Sequence, residues 1–240
     1  MKTAIVTGAT KGIGLAIARM LLGEGYHVVA TYAHDATSAE KCRGELSAIS
    51  QNFTIVRADQ SDKASMREFV EYVKREYSSI EAIVCNAGTT LRCSLEEITD
   101  EDWERMMQVN LNSNLYLIRD LNAMIAPNSR IVFIGSLMGV YPHGTSLAYG
   151  VTKSALHALA LNLVKCFEGT NTTVNAIAPG FVETEWQASK PQQIRDNIVA
   201  KSAIKRFATT DEVAEAVRFC INNAFVNGSI IEVSGGYNFK

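Results

Sequence analysis

The sequence predicts an α/β protein, a single doubly wound domain with a seven-stranded parallel sheet and helices on both faces. Three observations carry this reading. Short β-branched runs alternate with segments of helical apolar spacing, a glycine-rich turn follows the first run, and no linker, low-complexity tract or charge block interrupts the 240 residues.

Seven runs fit strands: "TAIVT" (3–7), "HVVATY" (27–32), "FTIVRA" (53–58), "AIVC" (82–85), "RIVFIG" (130–135), "TVNAIA" (173–178) and "SIIEV" (229–233). They are mostly apolar on both faces, as strands covered from two sides must be, and strands separated by helices pair in parallel. After the first run, Ile13, Ala16, Ile17, Met20 and Leu21 form one apolar helical stripe; Met66, Phe69, Val70 and Val73 form another. Long helices are expected at 99–126 and 147–167. The second carries Leu156, Leu159, Leu163 and Phe167, a stripe suited either to the sheet or to a neighbouring subunit. Residues 180–207, polar and containing Pro191, break the rhythm before the last helix, and a substrate lid is expected there.

Composition narrows the function. A chain that is 47% hydrophobic and 20% charged suits a globular core. Its 23 Lys and Arg against 25 Asp and Glu favour neither nucleic acid nor an anionic membrane as partner. There is no apolar run of membrane-spanning length, and the opening "MKTAIVTG" leaves no room for a signal peptide, so a cytoplasmic location is expected. Five cysteines without a C-x-x-C pair and four histidines without ligand spacing predict neither a disulfide framework nor a metal site.

Chemistry enters at "TGATKGIG" (7–14), between the first strand and the first helix. Gly8, Gly12 and Gly14 allow a tight turn and close backbone approach, and the helix N-terminus presents N–H groups and positive dipole to an anion, most simply a pyrophosphate. The spacing is G-x-x-x-G-x-G, different from the common G-x-G-x-x-G dinucleotide fingerprint, and no Gly-Lys-Ser/Thr of a Walker A loop follows. A second signal is "AYGVTKSAL" (148–156), where Tyr149 and Lys153 are four residues apart on one helix face. An ammonium about 4 Å from the phenol, at an effective dielectric near 20, is worth roughly 4 kcal/mol, or up to about three pH units. Desolvation opposes this, but even a partial effect draws the proton donor toward neutral pH.

These motifs resemble the short-chain dehydrogenase/reductases across nearly the whole chain. The glycine turn is similar to their T-G-x-x-x-G-I-G, and "CNAG" (85–88) to their N-N-A-G, with Cys85 in place of the first Asn. Asn110 in "VNL", Ser136 in "IGS", Tyr149 and Lys153 in the S-x12-Y-x-x-x-K pattern, and "PG" at 179–180 follow in order. The resemblance implies a Rossmann-like nucleotide-binding fold and a catalytic set of Asn110, Ser136, Tyr149 and Lys153. Tyr149 would donate the proton, Ser136 would polarise the substrate oxygen, Lys153 would also hold the nicotinamide ribose, and Asn110 would position a water that resupplies protons through Lys153. Cofactor contacts are expected from Gly8, Thr10, Lys11, Gly12, Ile13, Gly14, Tyr32, His34, Asp59, Asn86, Ala87, Gly88, Tyr149, Lys153, Pro179, Gly180, Val182 and Thr184. Tyr32 stands where NAD-selective relatives place an acid, Asp35 comes three residues too late, and Lys11 and His34 suit a 2′-phosphate. NADP(H) is therefore expected, with NAD(H) open. Asp59 matches the position that contacts adenine, and Thr184 the one that bonds the nicotinamide carboxamide.

For substrate, the likeness is greatest to 3-oxoacyl-(acyl-carrier-protein) reductases of fatty acid synthesis, through "APGFVET" (178–184) and "RFATTDEVAEAVRF" (206–219). That implies reduction of a 3-oxoacyl thioester. The stretches "IAPNS" and "FEGTNT" have no basic residue where those enzymes tend to present arginines to the acidic carrier protein, which weighs against acyl carrier protein as a partner. A dehydrogenase of a small ketone, polyol, sugar or steroid-like alcohol is the alternative, and a non-catalytic nucleotide binder a second one. Ser136, Met138, His143, Tyr149 and Trp186 are the expected substrate contacts, with Leu91 also near the pocket. A homotetramer or homodimer is expected, with the terminal "GGYNFK" against a neighbouring subunit.

Overall fold

The computed structural model describes residues 1–237. Seven strands form one sheet in the order β3-β2-β1-β4-β5-β6-β7, with every neighbouring pair parallel. They are β1 (Thr3–Val6), β2 (His27–Tyr32), β3 (Phe53–Arg57), β4 (Ile80–Cys85), β5 (Ile125–Ile134), β6 (Thr173–Pro179) and β7 (Ile230–Val233). The order reverses direction between β1 and β4, opening a crevice at their C-terminal ends where ligands of such sheets bind.

The two apolar stripes read from the sequence cover opposite faces. On one side lie α1 (Gly12–Gly23), α2 (Ala36–Ser47) and α9 (Thr210–Asn222), whose Ile17, Leu21, Leu46 and Val217 pack on Val6, Val28 and Val84. On the other lie α3 (Lys63–Glu76), α5 (Ser113–Asp120) and α6 (Leu147–Cys166), whose Phe69, Val73, Leu117 and Leu156 pack on Ile5, Ile83 and Phe133. Leu156, Leu163 and Phe167 are buried in this second layer and Leu159 packs against it, so that stripe faces the sheet rather than another subunit.

The expected 99–126 helix is divided. After α4 (Asp100–Met107), residues Gln108–Asn112 form a π-helical turn before α5, and the chain is already in β5 at Ile125. A π turn inserts one residue per turn and re-aims the backbone, commonly at functional sites. Here it carries Asn110. The first half of β5 escaped the sequence reading because its residues before Arg130 lack a β-branched run; Asn128 adopts φ 65° beside a register shift between β4 and β5.

Of the C-terminal "GGYNFK", Tyr237 packs its ring 5.0 Å from Phe181 within the same chain. Asn238, Phe239 and Lys240 lie outside the described residues. The 180–207 segment holds two helices, α7 (Glu185–Ala188) and α8 (Gln192–Lys201), anchored by a parallel bridge between Val182 and Ala208. Among the described residues no helix is long and apolar enough to cross a membrane.

Candidate active site

A cavity of about 850 Å³ runs along the C-terminal edge of the sheet, from the turn after β2 to the start of α6. Every expected cofactor and substrate contact lines it, as do Ser136, Tyr149 and Lys153 of the expected catalytic set; Asn110, the fourth, is fully buried behind the wall.

At one end is the glycine turn. Gly8 (φ 62°) and Gly12 (φ 55°) occupy the left-handed region that side chains disfavour. Gly14 serves packing instead, since a Cβ there would land on the Gly8 carbonyl oxygen and the Asn86 amide nitrogen. The turn is stitched to the end of β4: Asn86 Nδ2 donates to the carbonyls of Thr7 and Gly8 (both 2.9 Å), while Thr7 Oγ1 accepts from the backbone N–H of Asn86 and Ala87 (both 3.0 Å). Thr7 was not singled out from the sequence, because its role is a contact across 79 residues. No side chain caps the N-terminus of α1 and no acid lies in its first turn. Its N–H groups are left to face the cavity, as an anion site requires.

The same end holds three acids and two bases. Lys11 pairs with Asp35 (3.2 Å) and Glu185 (3.3 Å), and His34 with Asp59 (2.9 Å). Asp35, set aside by spacing along the chain, therefore does line the cavity, and its side chain also accepts from Ser38 N–H to cap α2. That hydrogen bond is the main reason its carboxyl falls to about 2.

At the other end, β5 delivers Ser136 and α6 delivers Tyr149 and Lys153. Lys153 is 4% exposed; its Nζ donates to the Ile134 carbonyl at 2.8 Å and stands 5.7 Å from the centre of the Tyr149 ring. Asn110 locks the wall around it: Oδ1 accepts from Thr89 N–H (2.8 Å), and Nδ2 donates to Thr89 O (2.9 Å) and Thr152 Oγ1 (3.0 Å). A Cβ on Gly88 would meet Asn110 Oδ1 at 3.2 Å and Lys153 Nζ at 3.4 Å, so this glycine keeps the lysine's surroundings open. Cys85 is 1% exposed, and burial pushes its thiol up to about 12, which makes it an inert core residue.

The electrostatics correct the sequence reading. Burial raises the Tyr149 phenol above its usual 10, outweighing a hydrogen bond with Ser136 and the positive charge of Arg92, which both lower it. Burial also lowers the Lys153 ammonium to about 8. Desolvation thus wins over the expected pull of Lys153 on the phenol. Tyr149 is held protonated at neutral pH, the form a proton donor needs, and Lys153 lies well below the usual lysine range.

His157, one turn beyond Lys153 on α6, has no ligand spacing in the sequence. It is 3% exposed and occupies the space left by Gly135, where a Cβ would strike its Nε2. The Ser136 backbone N–H points to Nε2 at 3.4 Å, and burial first, then the Lys153 charge, hold the imidazole down at about 4. A neutral ring can accept from that N–H. Leu91, expected near the pocket, does not line it; its neighbours Thr90 and Arg92 do.

The uncapped helix, the long cavity and the Ser-Tyr-Lys end together fit a nicotinamide dinucleotide. Comparison with known proteins agrees. Residues 2–195 match the model of the short chain dehydrogenase family. The chain is 32% identical to the 2-dehydro-3-deoxy-D-gluconate 5-dehydrogenase of Pseudoalteromonas atlantica, over 98% of this chain and 95% of that protein. It is 31% identical to the 3-oxoacyl-(acyl-carrier-protein) reductase FabG of Escherichia coli, over 98% and 96%. A short chain dehydrogenase from Burkholderia cenocepacia, solved in complex with NADP, superposes with a TM-score of 0.92 at 27% identity, over 99% of this chain and 98% of that one. This chain, with its nucleotide cradle and its Ser-Tyr-Lys set at opposite ends of one cavity, belongs to the short-chain dehydrogenase family of oxidoreductases.

Proposed function

We propose that the protein is an NADP(H)-dependent oxidoreductase interconverting a ketone and a secondary alcohol, with reduction as its working direction. The observation that carries this is the placement of Ser136, Tyr149 and Lys153 at the inner end of the cavity whose outer end is the glycine turn. NADPH, when bound, supplies hydride to the substrate carbonyl carbon. Gly12, Ile13 and Gly14 would present backbone N–H groups to its pyrophosphate, and Lys153 would hold the ribose hydroxyls. Lys11 and His34 would turn from their acids toward a 2′-phosphate. Asp59, Thr184 and the Pro179–Gly180–Val182 edge would enclose the remaining contacts.

The protein's own part is orientation and proton delivery. Ser136 Oγ, already accepting from Met138 N–H at 3.2 Å, keeps its own proton to donate to the carbonyl oxygen as charge grows there. Tyr149 releases its proton to the same oxygen. The nearby ammonium of Lys153 stabilises the phenolate left behind, and Asn110 fixes the wall through which the proton is restored.

For the acceptor, a 3-oxoacyl thioester, as in fatty acid biosynthesis, is the first reading, supported by the likeness to the FabG reductase. A small keto or hydroxy acid of the sugar type is the second, favoured by equal likeness to the gluconate-derivative dehydrogenase and by the lack of basic residues in "IAPNS" and "FEGTNT". Acyl carrier protein is thus the weaker partner. A cytoplasmic homotetramer or homodimer completes the proposal, supported by Leu115, Leu147, Val151 and Leu161, which are exposed on α5 and α6. The test is NADPH consumption by the purified protein with acetoacetyl thioester and with a panel of ketones. Turnover of any carbonyl supports the reaction class, and an inert thioester beside an active keto acid moves the acceptor to the second reading.

A further inference from the structure

The charges lining the cavity are segregated. Its three acids, Asp35, Asp59 and Glu185, all belong to the nucleotide end and are paired there with Lys11 or His34. Beyond Ser136 and Tyr149 the charged liners are Arg92 and Lys190, with His143 beside them, and Lys201 joins Arg92 and His143 around an adjoining recess. Among the described residues the side chains of Arg92 and Lys201 have neither an ion pair nor a hydrogen bond, and Lys190 Nζ bonds only the Trp186 carbonyl, at 3.3 Å. Arg195 differs, being tied to Glu183 at 3.0 Å. The Nδ1 atom of His143 is buried without a partner. A buried polar atom without a partner is costly, and an anion arriving between these unpaired cations would satisfy it.

Resting on the function proposed above, we infer that the substrate carries an oxyanion, a carboxylate or a phosphate, which docks between Arg92 and Lys190 beside His143 while its carbonyl lies at Ser136 and Tyr149. The field in the protein agrees with this. Burial first, then the charges of Arg92 and Arg195, lower Lys190, and burial first, then Arg92 and Lys201, lower His143. The planar guanidinium of Arg92 can grip two oxygens at once. An anchor at that end sets which face of the ketone meets the cofactor, so it contributes to stereochemistry as well as affinity.

Matched substrate pairs test this with the wild-type protein and NADPH: levulinate against methyl levulinate, a keto sugar acid against its methyl ester, and dihydroxyacetone phosphate against dihydroxyacetone. The anionic member of at least one pair should show a kcat/KM at least tenfold higher, with a KM that rises with ionic strength, and the pair that responds tells carboxylate from phosphate. Arg92→Met should cut the anion-to-neutral ratio at least tenfold, and Arg92→Lys should restore part of it. If neutral ketones are reduced as well as their anionic partners, or if Arg92→Met leaves the ratio unchanged, the anion site is refuted while the reaction class stands. If no ketone consumes NADPH, the proposed function falls and this inference with it.

Discussion

Replacing Lys153 with methionine should alter stability in a pH-dependent way that follows from its burial. The ammonium is 4% exposed, and burial lowers it from 10.5 to about 8. At 1.36 kcal/mol per pH unit, the charged form is disfavoured in the fold by about 3 kcal/mol. Below pH 8 the lysine is charged both folded and unfolded, so the full penalty weighs on the fold. Between the folded and unfolded pKa values the folded lysine is neutral while the unfolded one is still charged, so the penalty fades as pH rises and is gone by about 10.5. Methionine never carries it. The variant loses the hydrogen bond to the Ile134 carbonyl, which costs about 1–3 kcal/mol if that oxygen stays unsatisfied, but this loss does not vary with pH. Urea unfolding of both proteins between pH 7 and pH 10 isolates the titrating part, since Tyr149 is common to the two. The wild type should gain on the variant by about 2 kcal/mol or more across that range. A difference that stays flat within experimental error would refute the buried-ammonium account, whatever happens to activity.

Two further outcomes follow from the geometry. Gly135→Ala should destabilise the fold by about 1–3 kcal/mol, because its methyl group strikes the His157 ring, and adding His157→Ala should recover at least half of the loss in a denaturation double-mutant cycle. Lys11→Ala should weaken NADPH binding about five- to tenfold more than NADH binding in a fluorescence titration, a gap that narrows in high salt, because the cation would otherwise meet the 2′-phosphate. Equal losses for both cofactors would assign Lys11 to its pairs with Asp35 and Glu185 alone.

The fold was legible where hydrophobic pattern alone decides structure. All seven strands announce themselves by β-branched runs, and α1 and α3 by stripes that the structure buries on opposite faces of the sheet. What patterning could not show is where a regular element deviates: the π turn at Asn110 and the irregular entry of β5 around Asn128 leave no periodic trace. In the site, the cavity residues were legible because glycines, serine, tyrosine and lysine sit at fixed spacings along the chain. Thr7, Asp35, Arg92 and His157 were not, since each takes its meaning from a neighbour far away in sequence or from the loss of water. The sign of the Tyr149 shift failed for that second reason. Helical spacing reveals a cation next to a phenol, but only the packed site reveals how much solvent both have given up.

Proton donation by Tyr149 is tested most directly by single-turnover reduction with Tyr149→Phe, using whichever ketone the wild type accepts. The rate of NADPH oxidation at neutral pH should fall by about 10²- to 10⁴-fold, while the dissociation constant for NADPH changes less than threefold. A variant that reduces the ketone within threefold of the wild-type rate would contradict the assignment of the proton to this hydroxyl.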